Sequence, residues 1–259
     1  MRILVFDSGL GGLTVHAEIR KVRPDAEFSY LADDAVFPYG RLEPEVLVAR
    51  VMDIISKEMA AAPADIIVIA CNTASTLVLP HLRAAYAVPI VGTVPAVKPA
   101  AAMSRSRKIS VLATPGTVAR DYTRGLIDAF AAHCEVTLVG CRDLASLAEA
   151  HLRGERVQDA EIAAEIAPAF VETADGMTDT IVLACTHYPL LLEQLKALAP
   201  WPVAWIDPAP AIARRVVQLA GPMAEAAEEA RPGRAVFTSG RAPGPALAAA
   251  LRERYLALV

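Results

Sequence analysis

The sequence predicts an α/β fold arranged as two similar halves, each with a mostly parallel sheet, and a cleft between them. Three observations carry this reading. Apolar runs of strand length alternate with longer stretches of helical spacing. Four successive elements of the first half recur in the same order in the second. Two of the repeated strands end in the same dipeptide, Ala-Cys, followed by small polar residues: IVIACNTAST and IVLACTHYPL.

The alternation begins at once. ILVF (3–6) ends at Asp7-Ser8 and runs into DSGLGGLTV (7–15), a Gly-rich turn leading to a helix. EFSYLA (27–32) ends at Asp33-Asp34, and PYG (38–40) is a loop whose Pro and Gly restrict the backbone. Val46–Ala62 places Val46, Ala49, Ile54 and Met59 at helical spacing. DIIVIA (65–70) stops at Cys71-Asn72-Thr73, VPIVG (88–92) follows, and the Pro-rich stretch near Val94–Pro99 reads as a crossing between halves. ISVLA (109–113) ends at Thr114, EVTLVG (135–140) at Cys141, and DTIVLA (179–184) at Cys185-Thr186-His187. VAWI (203–206) precedes DPAP (207–210), the second crossing. AVFTS (235–239) is the last strand, and Gly244–Leu258 reads as a closing helix, both returning to the first half. The expected domains are therefore 1–95 plus 208–259, and 96–207. Strands this apolar on both faces belong to parallel sheets covered on both sides.

The repeat fixes the duplication. RILVFDSG (2–9) parallels KISVLATPG (108–116), EFSYLADD parallels EVTLVGCRD, DIIVIACNT parallels DTIVLACTH, and VPIVGTV parallels VAWIDPA. One such match is chance; four in order are not.

Composition removes several classes. The chain has 259 residues, 54% hydrophobic and 21% charged, which is globular and long enough for a large core. A net charge of −4 gives no general reason to expect nucleic acid. The least charged stretch, Ile66–Pro80, is shorter than a membrane span and contains Asn, Thr and Ser. MRILVFDSG reads as a strand and not as a signal peptide. Four cysteines without a CxxC pair do not make a disulfide scaffold, so a reducing cytoplasm is the expected location.

Ligands of open parallel sheets bind beyond the carboxyl ends of the strands, where the polar residues named above collect. Cys71 and Cys185 each stand where a strand ends and a helix is expected, and a helix N-terminus favours a thiolate. A single such cysteine is more often a small buried hydrophobe; two in matching positions favour chemistry. Cys134 and Cys141 lack the pattern and read as structural, as do His16, His81, His133 and His151. His187, two residues from Cys185, and Asp7, ending the first strand, can polarise a thiol or relay its proton. Gly9, Gly11 and Gly12 do not have dinucleotide-loop spacing, and no GK[ST] follows; their N–H groups suit a carboxylate. Ser8, Thr73, Thr117 and Thr186 add hydroxyls at comparable turns, and Asn72 is the only Asn in the chain. Zinc on Cys71, Cys185, His187 and Asp7 is disfavoured, because a metal would occupy the thiolates. Two facing thiols suit inversion of a carbon beside a carboxylate, one removing a proton and the other delivering one to the opposite face.

With these residues in view, the chain resembles the glutamate racemases of the cofactor-independent aspartate/glutamate racemase superfamily. The resemblance rests on DSGLGGLTV (7–15), PYG (38–40), IACNTAS (69–75), ATPGT (113–117), ACTHYPLL (184–191) and IDPAPAIARRV (206–216), in order over nearly the whole chain. It implies a two-domain α/β fold with pseudo-twofold symmetry, no pyridoxal phosphate or other cofactor, no metal, and a homodimer. The implied reaction is interconversion of L- and D-glutamate by two cysteines, supplying D-glutamate for peptidoglycan. Carried over by motif, Cys71 and Cys185 transfer protons, assisted by Asp7, His187 and Glu149. Ser8, Pro38, Tyr39, Gly40, Asn72, Thr73, Thr114, Thr117 and Thr186 hold the substrate. The chain departs from the family pattern at Ala32-Asp33-Asp34, Val36, Arg120, RDLAS (142–146) and Pro208. Aspartate racemase is the nearest alternative; a decarboxylase or cis–trans isomerase on the same fold, or a two-lobed binding protein, are others.

Overall fold

The computed structural model describes residues 1–223 and 232–259; the part of the expected first domain between 224 and 231 lies outside them. In chain order the first sheet takes β1 (Arg2–Asp7), β2 (Glu27–Ala32), β3 (Ile66–Ile69) and β4 (Ile90–Gly92), with helices α1 (Gly12–Val22), α2 (Pro44–Ala61) and α3 (Asn72–Ala85) between them. After α4 (Val97–Met103) the second sheet begins with β5 (Lys108–Ala113), followed by α5 (Pro115–Val118), α6 (Asp121–Phe130), β6 (Glu135–Gly140), α7 (Leu144–Leu152) and α8 (Asp159–Ile166). A two-strand hairpin, β7 (Glu172–Thr173) and β8 (Gly176–Met177), precedes β9 (Thr180–Ala184), α9 (Leu192–Leu198) and β10 (Ala204–Ile206). The chain returns through α10 (Ala209–Ala220) to β11 (Gly233–Phe237), α11 (Pro245–Glu253) and β12 (Leu256–Leu258).

The strand orders are β12-β11-β2-β1-β3-β4 and β10-β9-β5-β6, and every neighbouring pair in these two sheets is parallel. Alternation along β1 explains why its apolar run has no polar face. Ile3 and Val5 pack with Leu13, Ile19, Ile212, Val216 and Leu251 from α1, α10 and α11, whereas Leu4 and Phe6 pack with Leu47, Val51, Ile55, Val78 and Leu82 from α2 and α3. The second sheet is covered in the same way. Leu112, Ile181 and Leu183 meet α7, α8 and α9, and Val111, Val182 and Ala184 meet α4 and its neighbours. No helix among the described residues is long and apolar enough to cross a membrane.

The end of the chain corrects the expected helix over Gly244–Leu258. The helix stops at Glu253, Tyr255 turns the backbone with φ of 54°, and Leu256–Leu258 forms β12 parallel to β11. The terminal Leu-Ala-Leu finds open backbone groups on β11, and a strand uses them where another helical turn would not. Gly233 lets β11 lie close to β2 on its other side, since a Cβ there would be 2.7 Å from the Phe28 carbonyl.

Two acidic residues tie β11 to the first sheet. Buried Asp33 accepts hydrogen bonds from the Tyr39 hydroxyl, the Arg50 guanidinium and the Thr238 hydroxyl, all within 2.6 Å, and Asp34 accepts from Ser239 N at 2.9 Å. Burial alone would raise the Asp33 pKa, but these donors hold it below the usual carboxylate value. The ring of Tyr39 thereby fixes the PYG loop against the sheet.

His16, on α1, is fully buried against the ring of Phe28, and neither of its nitrogens has a hydrogen-bond partner among the described residues. Burial, with Arg20 and Arg254 nearby, lowers its pKa from 6.5 to about 3. The folded state therefore holds His16 neutral; that stability is present above pH 6.5 and is lost as pH falls toward 3. Between pH 8 and pH 5 the unfolding free energy should drop by about 2 kcal/mol more in the parent than in His16→Leu, measured by urea denaturation.

Candidate active site

Three strand ends meet between the sheets. β1 delivers Asp7 and Ser8, β3 delivers Cys71, Asn72 and Thr73, and β9 delivers Cys185, Thr186 and His187. A small enclosed pocket is lined by Ser8, Phe37, Pro38, Tyr39, Gly40, Cys71, Asn72, Thr73, Thr114, Ala145, Cys185, Thr186 and His187. Both thiols are in it, from opposite halves of the chain. The empty space admits little more than one water-sized sphere.

The two thiols have different surroundings. Cys71 caps α3, accepting the Ala74 N–H at 3.4 Å and donating to Ser8 Oγ at 3.6 Å. Burial, followed by the Asp7 carboxylate, pushes its pKa up to about 12, against the Ala74 and Ser8 contacts that favour the thiolate. Cys185 does not cap an α-helix, contrary to the expected match. A turn separates it from a short 3₁₀ segment at Tyr188–Leu191. In place of a helix terminus, Cys185 has His187 Nδ1 at 3.8 Å.

His187 is held from behind. Its Nε2 lies 3.1 Å from Glu149 Oε1 and 4.0 Å from Asp7 Oδ2, and its ring stacks obliquely on Phe37 at 5.0 Å. Burial opposes the imidazolium, yet the contacts with Cys185, Glu149 and Asp7 outweigh it and hold the pKa well above 6.5. Glu149 is buried too, but His187, the Leu10 N–H and Arg153 keep its pKa below the ordinary value. For Asp7 burial prevails, and its pKa is raised despite His187, Thr186 and the Gly9 and Gly12 amides.

The Gly-rich turn does cradle a carboxylate, but a carboxylate of the protein. Leu10 N donates to Glu149 Oε1 at 2.7 Å and Gly9 N to Asp7 Oδ2 at 3.1 Å, so these amides are not free for a ligand. Glycine is needed for clearance: a Cβ on Gly9 would lie 2.0 Å from Glu149 Oε1, and one on Gly11 would lie 2.5 Å from His187 Nδ1.

The hydroxyls divide into two groups. Thr73, Thr114 and Thr117 form a triangle with sides of 3.0, 3.2 and 3.1 Å across the cleft, although Thr117 stands behind the lining. Thr186 donates to Asp7 Oδ1 at 3.1 Å. Both polar atoms of the Asn72 side chain are buried without a partner among the described residues. An amide facing a pocket with all its hydrogen-bonding capacity unspent is suited to a polar ligand. Pro38 and Gly40 line the pocket, whereas the hydroxyl of Tyr39 is committed to Asp33. Asp7 and Glu149 stand behind it. Sequence reasoning missed Phe37 and Ala145; the position of Phe37 beside PYG was the one available signal. Among the described residues no group of three His, Cys, Asp or Glu side chains is arranged to hold a metal ion.

Residues 21–216 match the model of a family described as Asp/Glu/hydantoin racemase. A glutamate racemase of Brucella anthropi is 58% identical over 221 residues, covering 85% of this chain and 80% of the relative. That of Brucella ovis is 59% identical over 218 residues, covering 84% and 79%. The crystal structure of Escherichia coli glutamate racemase, in complex with L-glutamate and the activator UDP-MurNAc-Ala, superposes with a TM-score of 0.90 at 38% identity. It covers 99% of this chain and 97% of that one.

The clearance argument has a direct check in stability. Gly9→Ala should destabilise the protein by about 2 kcal/mol in urea unfolding, because the Glu149 carboxylate is pinned and cannot yield. Gly125→Ala, in the interior of α6 with nothing within 4 Å of the new methyl, should instead stabilise it by about 0.5–1 kcal/mol.

Proposed function

The chain belongs to the Asp/Glu/hydantoin racemase family, and from that premise we propose that it interconverts L- and D-glutamate by proton transfer between two cysteines. The observation that carries this reading is the pocket itself. Cys71 and Cys185 line it together, one beside Ser8 and Asp7 and the other beside the His187–Glu149 pair.

In one direction the thiolate of Cys185, next to the His187 imidazolium, takes the α-proton. The Cα–H bond breaks, and its electron pair is held by the adjacent substrate carboxylate. The Cys71 thiol then donates its proton to the other face of Cα, forming the new Cα–H bond and leaving a thiolate. In the reverse direction the roles exchange, and Asp7 beside Cys71 serves as its proton partner. Both proton-transfer groups come from the chain, so the reaction needs no cofactor. Asn72, Ser8, Thr73, Thr114 and Thr186 are the groups to hold the substrate, with Thr117 bracing Thr73 and Thr114 and the Pro38–Gly40 loop closing the mouth. The pocket is too small for glutamate as it stands, so entry requires the two halves to separate. Exclusion of water after closure strengthens each electrostatic contact inside. The family resemblance further supports a cytoplasmic homodimer whose D-glutamate serves peptidoglycan synthesis.

The test is proton NMR of the purified protein with L-glutamate in D₂O, with chelator and no added cofactor. The α-proton signal should disappear while D-glutamate accumulates by chiral assay. Cys71→Ser and Cys185→Ser should each lower racemisation by a factor of about 10³. Exchange with aspartate but not glutamate would move the assignment to aspartate racemase, and full activity in either variant would remove the two-thiol mechanism.

A further inference from the structure

The carboxylate of Glu149 has its two oxygens assigned to different tasks. Oε1 receives the Leu10 N–H at 2.7 Å and faces His187 Nε2 at 3.1 Å, whereas Oε2 receives Arg153 Nη2 at 3.1 Å. Arg153 follows the last residue of α7, one turn beyond Glu149, and its side chain is 31% exposed while that of Glu149 is 8% exposed. An exposed pair at this spacing on a helix contributes little. This pair differs because the carboxylate is buried and its other oxygen is already committed to the histidine beside a reacting sulfur.

We propose that Arg153 is a positioning residue for the racemisation: its guanidinium fixes the plane and the charge of the Glu149 carboxylate, which in turn holds His187 against Cys185. The inference rests on the two-thiol reading above and extends its Cys185 arm to the protein surface. That arm is a line of four groups, Arg153–Glu149–His187–Cys185, with contacts of 3.1, 3.1 and 3.8 Å. The arm at Cys71 has Ser8 and Asp7 and, among the described residues, no cation of its own. The titratable and charged groups facing Glu149 are His187 and Arg153, with the Tyr30 phenol and Asp7 further off. Of the two kinds of cation, an imidazolium gives up its proton within the working range and a guanidinium does not.

Removing that charge leaves the buried carboxylate with an amide and an imidazole. It then protonates at higher pH and releases His187. The expected signature is therefore confined to the acid side of the pH profile. In Arg153→Gln the acid limb of kcat/KM should move up by about one pH unit, and activity just above the limb should fall about tenfold. Arg153→Lys supplies the charge without the planar fork, so it should return the limb to its parental position while kcat stays below the parent's.

The experiment measures kcat and KM for glutamate against pH in the parent, Arg153→Gln, Arg153→Lys and Glu149→Gln proteins, with thermal unfolding as a folding check. A profile for Arg153→Gln that superposes on the parent's after scaling overturns the inference, because a purely structural loss is uniform in pH. Should Arg153→Gln fail to fold, Arg153→Lys decides: a parental limb with reduced kcat supports the proposal, and parental kcat overturns it. A Glu149→Gln protein with the parent's rate and profile would instead remove the role of Glu149 on which the proposal rests.

Discussion

The carboxylate of Glu149, buried where the two halves of the chain meet, governs the geometry of the site. It accepts a backbone N–H from Leu10, in the turn that follows the first strand, and faces the ring of His187, in the turn that follows β9. One anion therefore locks a loop of the first sheet to a turn of the second. A carboxylate this deeply buried needs compensation, and a hydrogen-bonded imidazolium, an amide and a guanidinium provide it. The glycines around it are a consequence: Gly9 and Gly11 have to lack side chains so that Glu149 and His187 can come this close.

The same constraint breaks the symmetry that the repeat implies. The duplicated strands place two cysteines at matching ends, but only Cys71 inherits the helix terminus that such an end ordinarily provides. At Cys185 a turn intervenes, and positive charge comes from His187 instead. Burial and Asp7 raise the thiol at Cys71, while Cys185 has the His187 ring beside it, backed by the Glu149 carboxylate.

Beyond the site, the structure spends its polar residues on joining distant segments. Asp33 and Asp34 bind Thr238 and Ser239, some two hundred positions away, and so draw β11 onto β2. Through Tyr39, Asp33 also anchors the loop that covers the pocket. Asp34, which departs from the family pattern, thus ends up with Asp33 as a brace for the returning chain and not as part of the pocket wall.

What the sequence determined by itself follows from local periodicity. Apolar runs bounded by turns marked every strand of the two large sheets among the described residues apart from β12, and the ordered repeat marked the duplication. The Ala-Cys ends singled out both thiols. The resemblance of motifs then pointed to Glu149, which no local pattern distinguishes from other glutamates on helices. The tertiary structure alone decided which groups stand beside each thiol, because those neighbours are remote in the chain: Cys71 meets Ser8 across 63 positions, Leu10 meets Glu149 across 139, and Thr186 meets Asp7 across 179. It also decided the fate of the last residues, where a short apolar run completes a sheet edge and not a helix. Hydrophobic spacing records how a segment meets its own core, whereas a pocket between two sheets is made of side chains brought together only when both cores have formed.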